Sequence, residues 1–315
     1  MSASRRSAPY SRSGNPAKRQ VQHQPPVTAR DWIDAARPRT LPLAAAPVLI
    51  GTGAALSVDI TFHWLTALAC LVIAALLQIG VNFSNDYSDG VRGTDDYRVG
   101  PARLTASGRI PARHVLIVAL AFFALAAVVG LVVVIATQQW WMLAVGAAAI
   151  VAAWLYTGGK RPYGYFGLGE VFVFVFFGLV ATLGTTWVQV FQLPQTAWAG
   201  AIAAGCFACA VLVANNVRDI EQDRAAGKRT LSVLIGKRGS QILFTVFALV
   251  PFVIAAWLLL FFPWMWLALL VLLAIVPAIV IVWAYRRPAE LIVALSVTSL
   301  GSLLFAIGML VAFWA

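Results

Sequence analysis

Residues 82–108 read NFSNDYSDGVRGTDDYRVGPARLTASG, and they place a cluster of acids at the end of an apolar run. The run, 64–81, is long enough to be embedded in a membrane. The stretch that follows holds four aspartates within eleven positions, namely Asp86, Asp89, Asp95 and Asp96. Because carboxylates are costly beside a hydrocarbon core, they are typically functional there. The acids therefore indicate a site at a membrane face.

The composition is that of an integral membrane protein. Of the 315 residues, 61% are hydrophobic and 11% are charged, whereas about a quarter of the residues of a soluble domain are charged. The 23 lysines and arginines exceed the 12 acids and give a net charge of +11. In a soluble protein this excess would suggest nucleic-acid binding, but in a membrane protein it can mark the cytoplasmic loops.

Nine apolar runs approach the length of about 20 residues that a spanning helix needs. The chain is therefore expected to form nine transmembrane helices, over roughly 41–57, 63–83, 114–137, 139–157, 168–191, 196–215, 240–262, 264–283 and 291–313. Residues 31–315 are then a single transmembrane domain. Residues 1–30 contain no acid and are rich in Ser, Pro and basic residues, which predicts a disordered basic tail.

The distribution of cations gives the expected orientation. If the N-terminus is cytoplasmic, the inner segments are 1–40, 84–113, 158–167, 216–239 and 284–290, and they contain 8, 5, 2, 6 and 2 cations, which are all 23. The outer connections contain none. By the positive-inside rule, the N-terminus and the charged loops are expected to be cytoplasmic, and the C-terminus to lie outside.

The second long charged loop, 215–238, repeats the pattern of the first. It reads NNVRDIEQDRAAGKRTLSVLIGKR. Asn215, Asp219 and Asp223 are spaced i, i+4, i+8, while Asn82, Asp86 and Asp89 are spaced i, i+4, i+7. In a helix each trio would lie on one face. Since the two clusters are four spans apart, we expect two parallel four-helix repeats plus a ninth helix, with the acids facing each other across a cavity.

Paired clusters of this kind favour a site for Mg²⁺ and a diphosphate. Mg²⁺ prefers hard oxygen ligands and is commonly held by one or two carboxylates and by substrate phosphates. Basic side chains near the acids could donate to the diphosphate, and they are Arg92, Arg98, Arg103, Arg218, Lys228 and Arg229. A third inner loop contributes Tyr156 and Lys160. Glu170 could equally be a packing group or a site residue.

These motifs resemble the UbiA-type intramembrane prenyltransferases. The resemblance rests on Asn85-Asp86-x-x-Asp89 with Asp95 downstream, on Asn215-Asn216-x-Arg218-Asp219-x-x-x-Asp223, on Tyr156-x-x-x-Lys160 and on nine spans over 31–315. The wording of 85–108, of 36–53 (ARPRTLPLAAAPVLIGTG) and of 156–170 (YTGGKRPYGYFGLGE) is most similar to the branch that prenylates 1,4-dihydroxy-2-naphthoate in menaquinone biosynthesis. In many members the first acids are spaced i, i+4, so the third ligand here is open between Asp95 and Asp96, and Asp95 is favoured.

The resemblance implies a fold, a reaction and roles for particular residues. The fold would be an all-α, barrel-like membrane bundle in a bacterial plasma membrane. The reaction would transfer a polyprenyl chain from its diphosphate to dihydroxynaphthoate, with loss of carbon dioxide. The implied Mg²⁺ ligands are Asp86, Asp89, Asp95, Asp219 and Asp223; the implied catalytic or diphosphate-binding residues are Tyr156, Lys160, Asn82, Asn85, Asn215, Arg218, Lys228 and Arg229; Arg98 and Arg103 are candidates for the acceptor carboxylate.

Three alternatives stay open. Another member of the same superfamily would use a benzoate, a tetrapyrrole or a phosphoribosyl acceptor. A transporter or channel would also explain carboxylates and repeats in a membrane protein, although the acids cluster at one face. A lipid head-group phosphotransferase would need one Asp-rich array rather than two.

Overall fold

A computed structural model of the protein describes residues 27–94 and 103–315. In these two ranges every regular element is a helix, as the composition predicts. Most of the expected N-terminal tail lies outside the described residues, as do Asp95, Asp96 and Arg98.

The helices are numbered here in chain order. They are α1 (Ala29–Ala36), α2 (Leu41–Leu56), α3 (Trp64–Arg92), α4 (Ala112–Thr137), α5 (Met142–Leu155), α6 (Gly169–Val190), α7 (Gln195–Arg218), α8 (Ile220–Ala225), α9 (Leu231–Leu258), α10 (Pro263–Ala284) and α11 (Leu291–Trp314). A π-helical segment, Phe174–Val180, lies inside α6.

The expected count of nine spans is not confirmed. Within the part of the chain that the structure describes, eight helical segments of 22 to 29 residues are long and apolar enough to cross a membrane; one of them, Ala29–Leu56, is α1 and α2 taken together. The ninth expected span, 139–157, forms only the 14 residues of α5, which is shorter than the usual span of about 20 residues. The protein is therefore a multi-pass membrane protein in which α5 falls short of a full span.

Helix α7 lies at the centre of the bundle, against α2, α6, α9 and α11. Its small residues let neighbouring helices approach closely, as is common in membrane helices. At the α6–α7 contact, a Cβ on Gly178 would lie 2.6 Å from the Cα of Gly205. Because backbone contacts backbone here, α6 packs closely beside α7.

Helix α3 continues well beyond its predicted end near residue 83. It runs to Arg92 and is capped by Gly93, whose φ of 70° is in the left-handed region and whose N–H donates to the carbonyl oxygens of Asp89 and Gly90. Glycine adopts this conformation without steric cost, which makes it the usual residue at a helix C-terminus. Asp86 and Asp89 consequently lie on a helix rather than in a loop.

The short helix α1 covers the polar end of α3. The ring of Trp32 lies 5.8 Å from the ring of Phe83, and Arg109 donates to Asp31 over 2.8 Å. The first contact joins α1 to α3, and the second joins α1 to the segment that precedes α4. They enclose the end of the bundle where the acids lie.

Candidate active site

A cavity of about 550 Å³ lies among helices α2 to α7. One end is lined by polar side chains from the C-terminal ends of α3 and α7, and the remainder by apolar groups such as Ile73, Leu77, Val134, Ile150 and Phe176. The cavity therefore joins a polar head to an apolar channel.

The polar head is built from two matched helical patterns. Asn82, Asn85 and Asp89 line it from α3, while Asn216 lines it from α7, Asp223 from α8 and Asp219 from the junction between these two helices. Both trios are spaced i, i+3, i+7, which keeps their members on one side of a helix. The sequence predicted two such faces, but with Asp86 in place of Asn85 in the first and with Asn215 in place of Asn216 in the second. Asn215 also lines the cavity.

Asp86 is turned away from the cavity, which corrects its predicted position on the cavity face. Its two carboxylate oxygens accept hydrogen bonds from the backbone N–H groups of Leu104, over 2.9 Å, and of Thr105, over 2.8 Å. The side chain is buried at 1% exposure. Helical spacing does not decide this, because Asp86 lies one turn from Asn82 on the helix; the backbone N–H groups of Leu104 and Thr105 orient the carboxylate instead.

Asp89 is the centre of the charge network. Its Oδ1 accepts from the Tyr165 hydroxyl over 2.5 Å and lies 3.2 Å from the Lys228 ammonium. Its Oδ2 lies 3.6 Å from Arg103 Nη2. All of these side chains except Tyr165 are at most 10% exposed, so the charges interact with little screening by solvent.

Lys228 connects the two walls of the cavity. Its Nζ, 3.2 Å from Asp89, also lies 3.9 Å from an oxygen of Asp223. The two carboxylates are therefore separated by no more than the sum of these distances. The expected meeting of the two acidic clusters is present for Asp89 and Asp223.

Asp219 has its own cation. Arg218 donates to both of its carboxylate oxygens, over 2.7 and 2.6 Å, and to Asn215 Oδ1 over 2.8 Å. Arg218 is buried beside the cavity, so it balances the charge of Asp219 from behind the cavity wall.

Tyr165 was not singled out from the sequence. Besides its bond to Asp89, its ring lies 4.6 Å from Lys228 Nζ and 5.4 Å from the Arg92 guanidinium. Arg92 also donates to the backbone carbonyls of Thr157 and Gly159. Burial, and after it the charge of Asp89, raise the pKa of the Tyr165 phenol above its ordinary value, so the phenol stays protonated and donates. The aromatic run Tyr163–Phe166 was the available signal.

Tyr156 lines the cavity, but Lys160 and Arg229 do not reach it. The predicted pairing of Tyr156 with Lys160 assumed a continuous helix, whereas α5 ends at Leu155 and the chain turns at Gly159, where φ is 75°. Lys160 is consequently exposed. The Arg229 side chain is exposed too, and only its backbone N–H joins the site, by donating to the Tyr165 carbonyl over 2.9 Å.

Two of the cavity amides are held by neighbouring side chains. The Thr157 hydroxyl donates to Asn85 Oδ1 over 2.7 Å, and Asn216 Nδ2 donates to Glu170 Oε1 over 3.0 Å. Glu170 is buried, so it acts here as an orienting partner of Asn216. These bonds fix the amide groups on opposite walls of the cavity.

The donor set of the polar head suits a hard divalent cation. In residues 27–94 and 103–315, no three His, Cys, Asp or Glu side chains lie close enough together to hold a metal by themselves. The carboxylates of Asp89 and Asp223, however, share the positive charge of Lys228. Carboxylate and amide oxygens on two walls fit Mg²⁺, which takes its remaining ligands from water or substrate phosphates.

Comparisons with known proteins place this geometry in a family. The sequence profile of the UbiA prenyltransferase family matches residues 44–294. The chain is 46% identical over 276 residues to the 1,4-dihydroxy-2-naphthoate octaprenyltransferase of Mycobacterium tuberculosis, and the match covers 88% of this chain and 94% of that one. The Escherichia coli protein of the same name is 39% identical over 212 residues, with coverage of 65% and 68%.

Solved structures have the same fold. A UbiA homologue from Aeropyrum pernix superposes with a TM-score of 0.66 at 15% identity, covering 85% of this chain and 97% of that one. A homologue from Archaeoglobus fulgidus, solved bound to GPP and Mg²⁺, superposes with a TM-score of 0.63 at 15% identity, covering 89% and 99%. The family profile, the relatives and the fold agree, and the chain belongs to the UbiA prenyltransferase family.

Proposed function

We propose that the protein transfers a polyprenyl chain from polyprenyl diphosphate to 1,4-dihydroxy-2-naphthoate, releasing diphosphate and carbon dioxide and forming demethylmenaquinol. The observation that supports this acceptor is the 46% identity, over nearly the full length of both chains, to a relative named for it. The reaction is a step of menaquinone biosynthesis.

The form of the cavity supports the donor. A polyprenyl diphosphate has a highly charged head and a long apolar tail, and the cavity has a polar head and an apolar channel. In the polar head, Lys228 and Arg103 are positioned to donate to the phosphate oxygens once these compete with Asp89, as cationic donors do in phosphate sites. Arg103, which the resemblance suggested for the acceptor carboxylate, is thus assigned to the diphosphate.

Mg²⁺ is the proposed cofactor. Asp89 on one wall and Asp219 and Asp223 on the other would supply ligands, completed by the amides of Asn85 and Asn216 and by the phosphates of the donor. When bound, the ion would neutralise charge on the diphosphate and so favour its departure. Asp95, outside the described residues, stays a further proposed ligand.

The chain's own residues supply the rest of the mechanism. The carbon–oxygen bond of the allylic diphosphate breaks, and its electron pair leaves with the diphosphate toward Lys228 and Arg103. The ring carbon of the acceptor then bonds to the allylic carbon, and the acceptor carboxylate leaves as carbon dioxide. Apolar walls exclude the water that would otherwise trap the allylic cation. The rings of Tyr163 and Phe172, stacked with centroids 4.0 Å apart, line the cavity and can stabilise positive charge.

The proposed orientation follows from the distribution of the cations. The polar head would open to the cytoplasm together with the N-terminus, and the C-terminus would lie outside if α5 counts as a span. Labelling of single cysteines placed near residues 160 and 315 in intact cells would test this arrangement.

Product analysis tests the function. Purified protein is incubated with a polyprenyl diphosphate, Mg²⁺ and either 1,4-dihydroxy-2-naphthoate or 4-hydroxybenzoate, and the products are identified by mass. We expect a decarboxylated prenyl adduct of the naphthoate and loss of activity with EDTA. Prenylation of the benzoate alone would refute the acceptor assignment, and ion conduction without release of diphosphate would refute the enzyme.

A further inference from the structure

Asp86 makes contacts that a metal ligand would not need. Both of its oxygens are engaged by neighbouring backbone N–H groups, those of Leu104 and Thr105. Hydrogen bonds to a carboxylate are stronger than neutral ones, and buried N–H groups without partners are costly. The carboxylate therefore seats the segment that contains Leu104 and Thr105 against α3.

This segment is a compact turn, residues 103–108, that fits one face of α3. Inside it, the N–H of Ser107 donates to the Arg103 carbonyl over 3.0 Å and the Ser107 hydroxyl donates to the Leu104 carbonyl over 2.7 Å. Leu104 is buried at 2% exposure and packs with Phe83. A Cβ added to Gly90 would lie 2.5 Å from the Thr105 side chain, so the turn rests directly on the helix one turn beyond Asp86.

Seating the turn brings Arg103 to the cavity. Arg103 precedes the two N–H groups that Asp86 holds, and its guanidinium lies 3.6 Å from Asp89. Asp86 and Asp89 thus divide two tasks: Asp86 faces the turn, and Asp89 faces the cavity. We propose that Asp86 is a positioning residue that presents Arg103 to the donor diphosphate, and that it is not a metal ligand. That Arg103 binds a diphosphate rests on the proposed function, whereas the contact of the turn with α3 does not.

The seating can be measured without any substrate. Trypsin cleaves after Arg103 only when the turn leaves α3, because Leu104 is buried. Asp86→Asn keeps the size of the side chain but loses one acceptor oxygen, and Gly90→Ala pushes the turn away without touching Asp86. We expect each variant to be cleaved at the bond between 103 and 104 about tenfold faster than the parent, a change equivalent to about 1.4 kcal/mol. Cleavage sites are assigned by mass spectrometry.

Two matched variants serve as controls in the proteolysis. Gly130→Ala adds a methyl group to a helix where the nearest atom is 4.0 Å away, and it should leave cleavage at residue 103 unchanged. Asp223→Asn removes a cavity carboxylate far from the turn along the chain, and it should also leave this cleavage unchanged.

Steady-state kinetics then separate positioning from metal binding. In Asp86→Asn we expect the KM for polyprenyl diphosphate to rise about tenfold while the Mg²⁺ concentration for half-maximal rate stays constant; in Asp223→Asn that Mg²⁺ concentration should rise. If Asp86 acts through Arg103, adding Asp86→Asn to Arg103→Gln should have little further effect, as expected for coupled residues.

Specific results would overturn the proposal. Unchanged cleavage in Asp86→Asn would refute the seating of the turn. A raised Mg²⁺ requirement in Asp86→Asn would make Asp86 a ligand, and effects that add to those of Arg103→Gln would show that Asp86 does not act through Arg103. If the parent protein transferred no prenyl group at all, the proposed function would fail, but the proteolysis would still decide the role of Asp86 in holding the turn.

Discussion

Replacing Lys228 by methionine should destabilise the metal-free protein and make its stability more responsive to Mg²⁺. Methionine keeps the length of the side chain and removes the ammonium that lies between Asp89 and Asp223. Two buried carboxylates would then lose a shared cation. A divalent cation could restore the balance of charge, and in the variant it would no longer compete with the lysine.

The distances give the size of the effect. At 3.2 and 3.9 Å, each ion pair has a Coulomb energy of about 4–5 kcal/mol at an effective dielectric constant of about 20. Desolvation offsets much of this energy, but removal of one partner from a buried pair still typically costs about 3–5 kcal/mol. A loss of that size should lower the Tm of a chain of this length by roughly 5–10 °C.

Thermal unfolding of detergent-solubilised protein at increasing MgCl₂ measures both effects. We expect a lower Tm for Lys228→Met without Mg²⁺ and a larger gain in Tm on titration, since a ligand stabilises in proportion to its binding to the folded state. In activity assays the variant should lose kcat/KM, because a donor to the diphosphate is missing.

Lys237→Met is the matched control. Lys237 is exposed, over the ring of Tyr285, so its replacement should change neither Tm nor the response to Mg²⁺ appreciably. An unchanged Tm for Lys228→Met, or a gain in Tm with Mg²⁺ no larger than that of the parent, would refute the view that Lys228 and the metal share one position.

Three further predictions concern neighbouring contacts. Tyr165→Phe removes a hydrogen bond to a charged group and should lower kcat/KM about 10–100-fold. Because the pKa of the phenol is raised, the parent's pH–rate profile should show no loss of activity from this group below about pH 10. A loss of activity below that pH that disappears in Tyr165→Phe would contradict the assignment. Thr157→Val removes the donor to Asn85 and should raise the Mg²⁺ concentration for half-maximal rate about tenfold, whereas Thr157→Ser should not; equal effects of both changes would point to packing instead. Gly178→Ala places a methyl group 2.6 Å from the Gly205 backbone and should lower stability by about 1–3 kcal/mol in thermal unfolding, and an unchanged Tm would mean that α6 and α7 can separate freely.

Apolar runs predicted most helices because hydrocarbon exposure requires long, uninterrupted apolar segments. The run 168–191 became α6, Gly169–Val190, and 114–137 became α4, Ala112–Thr137. The prediction was wrong where polarity was taken as the end of a helix. Helix α3 continues through the acidic stretch to Arg92, since its polar residues are buried in the protein rather than exposed to lipid.

The candidate site was predictable in kind but not in helical phase. Spacings of i+3 and i+4 both keep residues on about the same side of a helix, so spacing alone could not decide whether Asn85 or Asp86 faces the cavity. The turn at 103–108 decides how α3 is rotated about its axis, because its backbone N–H groups bind the carboxylate of Asp86. Tyr165 reaches Asp89 through a bend at Gly159, and such a tertiary contact leaves no periodic trace in the sequence.

Among the described residues, the carboxylates that line the polar head are paired with cations before any ligand arrives. Asp89, Asp219 and Asp223 are balanced by Lys228, Arg103 and Arg218. A metal diphosphate therefore meets no strong excess of charge from these groups, and long-range attraction contributes little to its rate of association. Substrate capture should accordingly depend only weakly on ionic strength, and partition of the prenyl tail from the surrounding lipid should control how quickly the cavity fills.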